Sequence, residues 1–370
     1  MFQSLPRGGD VRAVPKSTGS VLLKRLISVA GAVTVALLLD CTREPSAACP
    51  PSAPPHQRSA VAEPTYAGAA DRPMWTPEEH AAARVLVEQD FPDGRTAIDA
   101  VMKGSHRSPG SADRDRYRHP AETLSFFGFS PTMSVLDIGP GAGQVRSSGV
   151  LGVAMGYYTE LVAPALAKHG LYIATNREPP SGAPALSSHH WTEYEGVRFD
   201  ELLRAAPELY GKVRVTRVDY GAPKLNLGDA TVDLVLLMRE VHMMKNWGTL
   251  DTWLREIHRV LKPSGVLGVE EHRAAPGTDP AGCCKTGYVP EAWVIAKVEA
   301  AGFALAGKSE VNANPRDTKD YPDGVWSLPP TFMVGPTYAP ASVPDPKYAA
   351  IGESDRMTLK FVKEAGGPAP

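Results

Sequence analysis

Apolar positions follow two different periods along residues 133–364. Short apolar runs rich in β-branched residues alternate with segments in which apolar residues recur every three or four positions. The first pattern is typical of buried strands and the second of amphipathic helices. Strands are predicted in the runs 133–138, 170–175, 212–218, 232–238, 265–271, 303–311 and 356–364, and helices around 199–209, 251–261 and 290–302.

This order of elements predicts the fold class. Strands separated by helical crossovers favour an α/β, Rossmann-like doubly wound sheet, which we expect to be mainly parallel with an antiparallel last strand. The main domain is expected over residues 131–364, with an insertion or lid at 312–355 and a short tail at 365–370.

An N-terminal helical extension is predicted over residues 74–130, in front of the main domain. Thr76 is a capping residue, Pro77 occupies the first helical position, and Glu79 stands where a capping box places its acid. A helix therefore begins at this point.

The first 73 residues have a different character. Lys24 and Arg25 precede an apolar run from Leu26 to Leu39, the order seen in export signals, and the run is short for a membrane span. Residues 1–48 are therefore interpreted as a signal-like or anchor segment, and the Pro/Ala/Ser-rich residues 49–73 as a flexible linker. An exported or membrane-anchored location is expected, with a cytoplasmic location as the alternative.

Charge and cysteine content exclude some function classes. The net charge is −2 at pH 7, so no general attraction to nucleic acid is expected. The four cysteines form no metal-type pair, and His189 and His190 lack a third ligand at metal-like spacing. No metal site is predicted, and the oligomeric state is left open.

A glycine-rich turn follows the first strand of the main domain. The segment VLDIGPGAG places Asp137 at the strand end and then Gly139, Gly141 and Gly143 at alternate positions. Glycine lets a ligand approach the backbone closely, and a nucleotide-like ligand binds outside the strand ends of such a sheet. The spacing GxGxG differs from the GxGxxG of dinucleotide-binding proteins, since Gln144 stands where the last glycine would be.

The segment VLDIGPGAG resembles motif I of class I methyltransferases, which use S-adenosylmethionine. The resemblance implies that Asp137, Gly139, Gly141 and Gly143 contact the cofactor. It further implies that Asn176, after the second strand, takes the ribose-binding position, where an Asp or Glu is more common. Asp219, after the third strand, matches the position that meets the adenine amino group, and the alternative is a turn or helix-capping aspartate.

A narrower resemblance covers residues 107–364. It is to a family of predicted bacterial methyltransferases that often carry export signals, and it rests on the segments DRYRHP, GYYTELVAP, LKPSGVLGVEEHRA, GYVPEAWVIAKVEAAGF, SEVNANPRDTKDYPDGVWSLPPTF and SDRMTLKFVK. In that family the glycine turn runs almost directly into the GYYTE-like helix. Here residues 144–155 stand between them, as a loop, an error in the gene model or a lesion that abolishes binding.

Acceptor-handling residues are expected at the ends of two later strands. VDLVLLM is followed by Arg239 and His242, while Glu271 and His272 close GVLGVEEH. Removing a proton from a nitrogen or hydroxyl acceptor suits a histidine or carboxylate, so all four are candidate catalytic residues, although either histidine could be structural instead.

Other segments could cover the pocket. Arg118, His119 and Glu122 either fold over it or form a turn that fixes the N-terminal helices. Tyr157 and Tyr158 either cover the cofactor or pack in the core, and residues 312–332 with Trp326 form either a lid or a packed crossover.

The sequence thus predicts methyl transfer from S-adenosylmethionine to an unidentified acceptor, expected to be a small molecule, with attachment to a membrane through the N-terminus as a possible further contact. The alternative is a non-catalytic exported binding protein on a degenerate methyltransferase fold.

Overall fold

The computed structural model describes residues 75–364, with gaps at 109, 148–149, 178–198, 201–202, 335–338 and 341–344. The predicted export segment and linker, the tail and the pair His189–His190 lie outside the described residues. Within the described part of the chain, no helix has the length and apolar character needed to cross a bilayer.

A seven-stranded sheet forms the centre of the described fold. Its strands are β1 (Ser134–Ile138), β4 (Leu171–Arg177), β5 (Arg214–Val218), β6 (Val232–Met238), β7 (Leu261–His272), β8 (Phe303–Ser309) and β11 (Arg356–Lys363). The spatial order is β5-β4-β1-β6-β7-β11-β8, and β11 runs antiparallel to both β7 and β8 while the other pairs are parallel. The predicted doubly wound, mainly parallel sheet with an antiparallel last strand is confirmed.

The strand order reverses direction beside β1. The chain proceeds from β1 through β4 to β5 on one side, and then returns to place β6 on the other side of β1. In open α/β sheets the ligand crevice lies outside the carboxyl ends of the strands at such a switch point. The turn after β1 therefore opens into the expected crevice.

Alternate residues of the central strands enter two separate hydrophobic clusters. Val135 and Leu234 belong to one cluster, while Leu136 and Val235 belong to the other, because successive side chains of a strand point to opposite faces. Burial on both faces explains why these strands have continuous apolar runs rather than alternation.

Helices cover both clusters. They are α1 (Pro77–Val87), α2 (Gly94–Val101), α3 (Asp115–Arg118), α4 (Pro120–Phe127), α5 (Thr159–Leu166), α6 (Pro207–Tyr210), α7 (Val241–Asn246), α8 (Leu250–Val260), α9 (Glu291–Glu299) and α10 (Pro346–Ile351). Short 3₁₀ helices occupy Ala112–Arg114, Pro280–Lys285 and Gly324–Ser327.

The N-terminal extension is helical, as predicted. Helix α1 begins with a complete capping box, in which the Thr76 hydroxyl accepts the Glu79 N–H at 3.1 Å and the Glu79 carboxylate accepts the Thr76 N–H at 2.7 Å. Helix α4 reaches the sheet, where Phe127 lies so close to Gly268 of β7 that a Cβ there would fall 2.6 Å from its ring. The extension therefore packs on the sheet as part of the same core.

The insertion at residues 144–155 forms a hairpin. Strands β2 (Ala142–Ser147) and β3 (Val150–Met155) pair antiparallel, with Ala142 opposite Met155 and Ser147 opposite Val150. The hairpin closes at its base, where Ala142 pairs with Met155.

The long segment 312–332 is packed rather than open. Asn312, Asp317 and Ser327 are buried, and the Asp317 carboxylate accepts hydrogen bonds from the Tyr288 hydroxyl at 2.8 Å and from the Asp355 N–H at 2.7 Å. The packed crossover is thus the better description, although its Trp326 ring lies 6.0 Å from the ring of His242. Two further short strands, β9 (Met333–Val334) and β10 (Ala339–Pro340), follow it.

Candidate functional site

Most of the predicted site residues lie at the carboxyl ends of three adjacent strands, β1, β6 and β7. Asp137 of β1 is in register with Leu236 of β6, and Met238 at the end of β6 is in register with Glu270 of β7. The turn after β1 and the residues that follow β6 and β7 are therefore neighbours. This register is what joins the cofactor half of the predicted site to its acceptor half.

The turn after β1 requires glycine at two positions. Gly139 and Gly141 have φ values of 66° and 64°, in the left-handed region that other residues adopt only with strain. A Cβ on Gly139 would lie 2.6 Å from the carboxyl carbon of Glu240, and the Gly139 N–H is already held by the Thr175 hydroxyl at 2.9 Å. The Glu240 side chain therefore lies directly against the bend at Gly139.

Gly143 does not belong to this bend. It lies in β2 opposite Ala154, and its predicted cofactor contact stays a prediction. Gly156, beyond the hairpin, packs against the bend instead, because a Cβ there would fall 2.2 Å from the Pro140 carbonyl oxygen and 2.9 Å from that of Gly141. Sequence reasoning missed Gly156, since the insertion separates it from the glycine pattern.

The hairpin geometry leads to a prediction about the insertion. Deleting residues 144–155 should preserve folding and cofactor binding, because β2 and β3 pair with each other and Gly141 already contacts Gly156. Thermal unfolding and a titration of the deletion variant with S-adenosylmethionine check this, and we expect affinity equal to the wild type or higher. A variant that folds but binds at least about tenfold more weakly, a loss of about 1.4 kcal/mol, would instead make the hairpin part of the binding surface.

Asp137 is a buried carboxylate with an unusual pKa. Its side chain accepts a hydrogen bond of 2.6 Å from the Tyr172 hydroxyl, which in turn lies 2.8 Å from the Thr159 hydroxyl. Burial raises the pKa of Asp137 to about 7, although the Tyr172 hydrogen bond and the charge of Arg239 both act in the opposite direction. Asp137 can therefore change its charge near neutral pH.

The predicted ribose and adenine positions differ in their surroundings. Asn176, near the end of β4, is buried. Its side-chain amide nitrogen donates to the Asp200 carboxylate at 3.0 Å, and its side-chain amide oxygen accepts the Arg177 N–H. Asp219 is exposed, and its carboxylate accepts the Gly221 N–H at 2.8 Å within a local turn. Asp200, which also pairs with Arg217, places a carboxylate beside Asn176, and no local sequence signal marks it.

The acceptor end contains a cluster of two histidines and a carboxylate. His242 at the start of α7 holds the Glu271 carboxylate through its backbone N–H at 3.0 Å, and its ring Nδ1 lies 3.0 Å from Glu271 Oε1. The His272 N–H donates to the same carboxylate at 2.7 Å, and the His272 Nδ1 lies 2.5 Å from the Ser354 hydroxyl. The two imidazole rings are 5.3 Å apart, and we call His242, Glu271 and His272 the His–Glu–His cluster.

Charge and burial keep one of these rings neutral. Burial, together with the charges of His242, Arg239 and Arg356, holds the pKa of His272 well below its ordinary value. A neutral imidazole can accept a proton or a hydrogen bond from an acceptor group. Arg239 itself adopts a left-handed conformation with φ 61°, which costs energy for a non-glycine residue and directs its side chain over β7, 3.8 Å from the Glu270 carboxylate.

A buried ionic network joins this end of the site to the N-terminal extension. Glu353, just before β11, pairs with Arg114, Arg118 and Arg356 at 2.8, 2.8 and 2.9 Å. Arg356 also reaches Glu270 at 3.0 Å, so the network extends to β7 beside the His–Glu–His cluster. We call Glu353 and its three arginines the Glu353 network.

The other predicted pocket residues take structural positions. Arg118 is 2% exposed and belongs to the Glu353 network through its ion pair with Glu353. Its guanidinium group also lies 4.6 Å from the centre of the Tyr157 ring. Glu122 is exposed and pairs with Arg95, so it does not fold over the pocket. Tyr157 and Tyr158 are buried, and the Tyr158 hydroxyl donates to Glu270 at 2.9 Å, which favours core packing over cofactor cover.

Part of the chain matches the model of a known protein family. Residues 181–269 match the family model described as a methyltransferase domain, a stretch that includes β5 and β6 and most of β7 but not the glycine turn. This match supports methyl transfer as the general activity and S-adenosylmethionine as the cofactor. None of the curated proteins matches the chain.

Solved structures with a similar course of the chain include the cyclase SpnF, at 19% identity and a TM-score of 0.43, covering 69% of this chain and 82% of that one. A SAM-dependent methyltransferase from Aquifex aeolicus has 20% identity and a TM-score of 0.37, covering 58% of this chain and 93% of that one. An S-adenosylmethionine-dependent methyltransferase from Mesorhizobium loti has 12% identity and a TM-score of 0.35, covering 66% and 97%.

Proposed function

We propose that this chain transfers a methyl group from S-adenosylmethionine to a small-molecule acceptor held beside the His–Glu–His cluster. The observation that carries the proposal is the register of β1, β6 and β7, which brings a glycine bend with a titratable carboxylate next to paired imidazoles. Its exported or membrane-anchored location and its lack of a nucleic-acid partner stay proposals based on the sequence.

The residues after β1 fit the cofactor. A side chain at Gly139 would collide with Glu240 beside the bend, and Asp137 provides a carboxylate that is ionised in part at neutral pH. When bound there, S-adenosylmethionine supplies a methyl group on a positively charged sulfonium. An ionised Asp137 favours a cationic ligand, and the glycine turn lets that ligand approach the backbone closely.

The acceptor end supplies alignment and a proton acceptor. Methyl transfer is an in-line displacement, so the protein mainly positions the acceptor and excludes water. The Glu271 carboxylate fixes the His242 ring through its Nδ1, and Ser354 fixes the His272 ring through its Nδ1. The neutral His272 ring can then receive the proton that a hydroxyl or amine acceptor loses, and His242 is the second candidate base. The charge of Arg239 acts on both Asp137 and His272, so Arg239 is the candidate contact for a polar acceptor group.

Binding of the cofactor is tested with two matched glycine variants. Gly139→Ala should weaken S-adenosylmethionine binding by at least about tenfold, because the new methyl group enters the bend 2.6 Å from Glu240. Gly248→Ala is the control, since Gly248 has a similar φ of 68° but no described atom lies within 4 Å of its would-be Cβ. Both variants carry the same backbone strain, so only the position of the methyl group differs.

Isothermal titration calorimetry of the wild type and both variants gives the answer. We expect one site per chain in the wild type and in Gly248→Ala, with thermal stabilisation of about 2.7 kcal/mol at a hundredfold excess over Kd. A wild-type chain that gives neither heat nor stabilisation would favour the non-catalytic binding protein instead. Equal binding by all three would separate the glycine bend from the cofactor site.

A further inference from the structure

We propose that the His–Glu–His cluster is a binding site for a divalent transition-metal cation such as Zn²⁺. One donor atom from each of His242, Glu271 and His272 lies within 4.8 Å of the donors of the other two. Two imidazoles and one carboxylate form a donor set that proteins use for zinc and for non-haem iron. The sequence indicated the three residues as catalytic candidates but not as one donor set, because the register of β6 and β7 brings them together.

Burial supports a cation at this place. Glu271 is fully buried and His242 is 6% exposed, so the carboxylate charge is removed from water. The adjacent Glu270 is compensated by Arg356 and Arg239, whereas among the described residues no arginine or lysine pairs with Glu271. A buried carboxylate is stabilised by hydrogen bonds, a paired charge or a metal ion. Glu271 accepts hydrogen bonds from the backbone N–H groups of His242 and His272 and faces the His242 imidazole, and a metal would add a full positive charge to this set.

The surroundings orient the ligands as metal sites require. Metal-binding histidines generally use one ring nitrogen for the metal and bond the other to a neighbouring polar group. The Ser354 hydroxyl holds the His272 Nδ1 at 2.5 Å, which leaves the opposite ring nitrogen available. The Trp326 and Tyr288 rings lie 6.0 Å and 6.4 Å from the two imidazoles, and they form an apolar wall around the cluster.

The remaining adjustment is small. Tetrahedral bonds of about 2.0 to 2.1 Å would place ligand atoms about 3.3 Å apart, so the donors need to move together by roughly an ångström or more. Rotations of the three side chains can supply that movement. A cation there would polarise an acceptor hydroxyl, and the imidazoles would act through the metal rather than as free bases. That role rests on the proposed methyl transfer, whereas metal binding does not.

The test is metal binding by the full chain after chelator treatment. Calorimetry with ZnCl₂ should show one equivalent bound at micromolar or tighter Kd, and CoCl₂ should produce visible absorption bands typical of nitrogen and oxygen ligands. Thiolate charge-transfer bands would instead assign the metal to one or more of the four cysteines, Cys41, Cys49, Cys283 and Cys284, and would overturn the proposed donor set.

Variants define the ligands. His272→Ala and Glu271→Gln should remove the tight equivalent, and Ser354→Ala should weaken it by about tenfold to a hundredfold by releasing the His272 ring. His258→Ala is the control, because His258 is a 6% exposed histidine that lies on α8 against Phe303. Unchanged binding in His272→Ala overturns the proposal. If that variant does not fold, a wild-type chain without cobalt bands overturns it as well, whatever the outcome with S-adenosylmethionine.

Discussion

Affinity for S-adenosylmethionine is expected to rise about fiftyfold between pH 5 and pH 7. With the pKa of Asp137 raised to about 7, only about 1% of this carboxylate is ionised at pH 5 and about half at pH 7. A sulfonium ligand binds the ionised form preferentially, so the observed affinity should follow the ionised fraction. This pH range ends before the ligand's own amino group titrates, at about 7.7 to 8.0.

Calorimetry at several pH values measures this dependence directly. Binding at pH 7 should also release about half a proton per ligand, which appears as a dependence of the measured heat on the buffer. Asp137→Asn should bind weakly with a flat pH profile, while Asp99→Asn, an exposed aspartate paired with Arg95, should keep the wild-type slope. A wild-type affinity that does not change between pH 5 and pH 7 would contradict the assignment of Asp137 to the ligand.

The same pKa shift has the opposite sign for stability without ligand. Because the folded-state pKa of Asp137 lies above the unfolded value of about 3.9, its contribution to stability is full below that value and is lost as the pH rises toward 7. Ionisation of Asp137 therefore lowers the folding stability of the ligand-free protein at neutral pH, and a bound cation would offset this cost. Such a trade between stability and function is common at binding sites.

The glycine bend and the strands could be predicted because each depends on residues close together in the sequence. The bend at Gly139 and Gly141 depends on backbone conformations of consecutive residues, so the glycine spacing indicated it directly. The apolar periods likewise indicated the strands, because each strand buries its own residues on both faces of the sheet. These features depend on few contacts outside their own segment.

The rest of the site depends on contacts between distant segments. His242 and Glu271 are 29 positions apart, and their pairing follows from the register of β6 and β7, which no local pattern specifies. Arg118 and Glu353 are 235 positions apart, so the sequence could present Arg118 only as one side of an unknown contact. Gly156 was hidden by the inserted hairpin, although it occupies the space beside the bend.

Removing the charge of Glu353 is expected to cost about 3 to 5 kcal/mol of folding free energy. Glu353 is 3% exposed and is the shared partner of Arg114, Arg118 and Arg356. Burial alone would raise the pKa of Glu353, but the three guanidinium groups outweigh it and hold this pKa well below its ordinary value. Glu353→Gln would leave buried guanidinium groups without their counter-charge, which is the costly way to break a buried ion pair.

Thermal and denaturant unfolding of Glu353→Gln should show this loss as a decrease in Tm of about 10 °C. Glu122→Gln is the matched control, because Glu122 pairs with Arg95 at 2.7 Å but both side chains are nearly half exposed. Exposed pairs contribute about 0 to 1 kcal/mol, so the control should change Tm by no more than about 2 °C. Equal shifts in the two variants would mean that the Glu353 network is not what fixes β11 to the N-terminal extension.

The pH dependence supplies a second, independent check on the same network. A carboxylate whose folded pKa is depressed contributes stability above its unfolded pKa of about 4.3, and this stability is lost as the pH falls further. The difference between wild type and Glu353→Gln should therefore be largest at neutral pH and shrink below about pH 4. Because Ser354, the next residue, holds the His272 ring, loosening this network should also disturb the acceptor end, and Glu353→Gln should weaken binding of Zn²⁺ at the His–Glu–His cluster while Glu122→Gln leaves it unchanged.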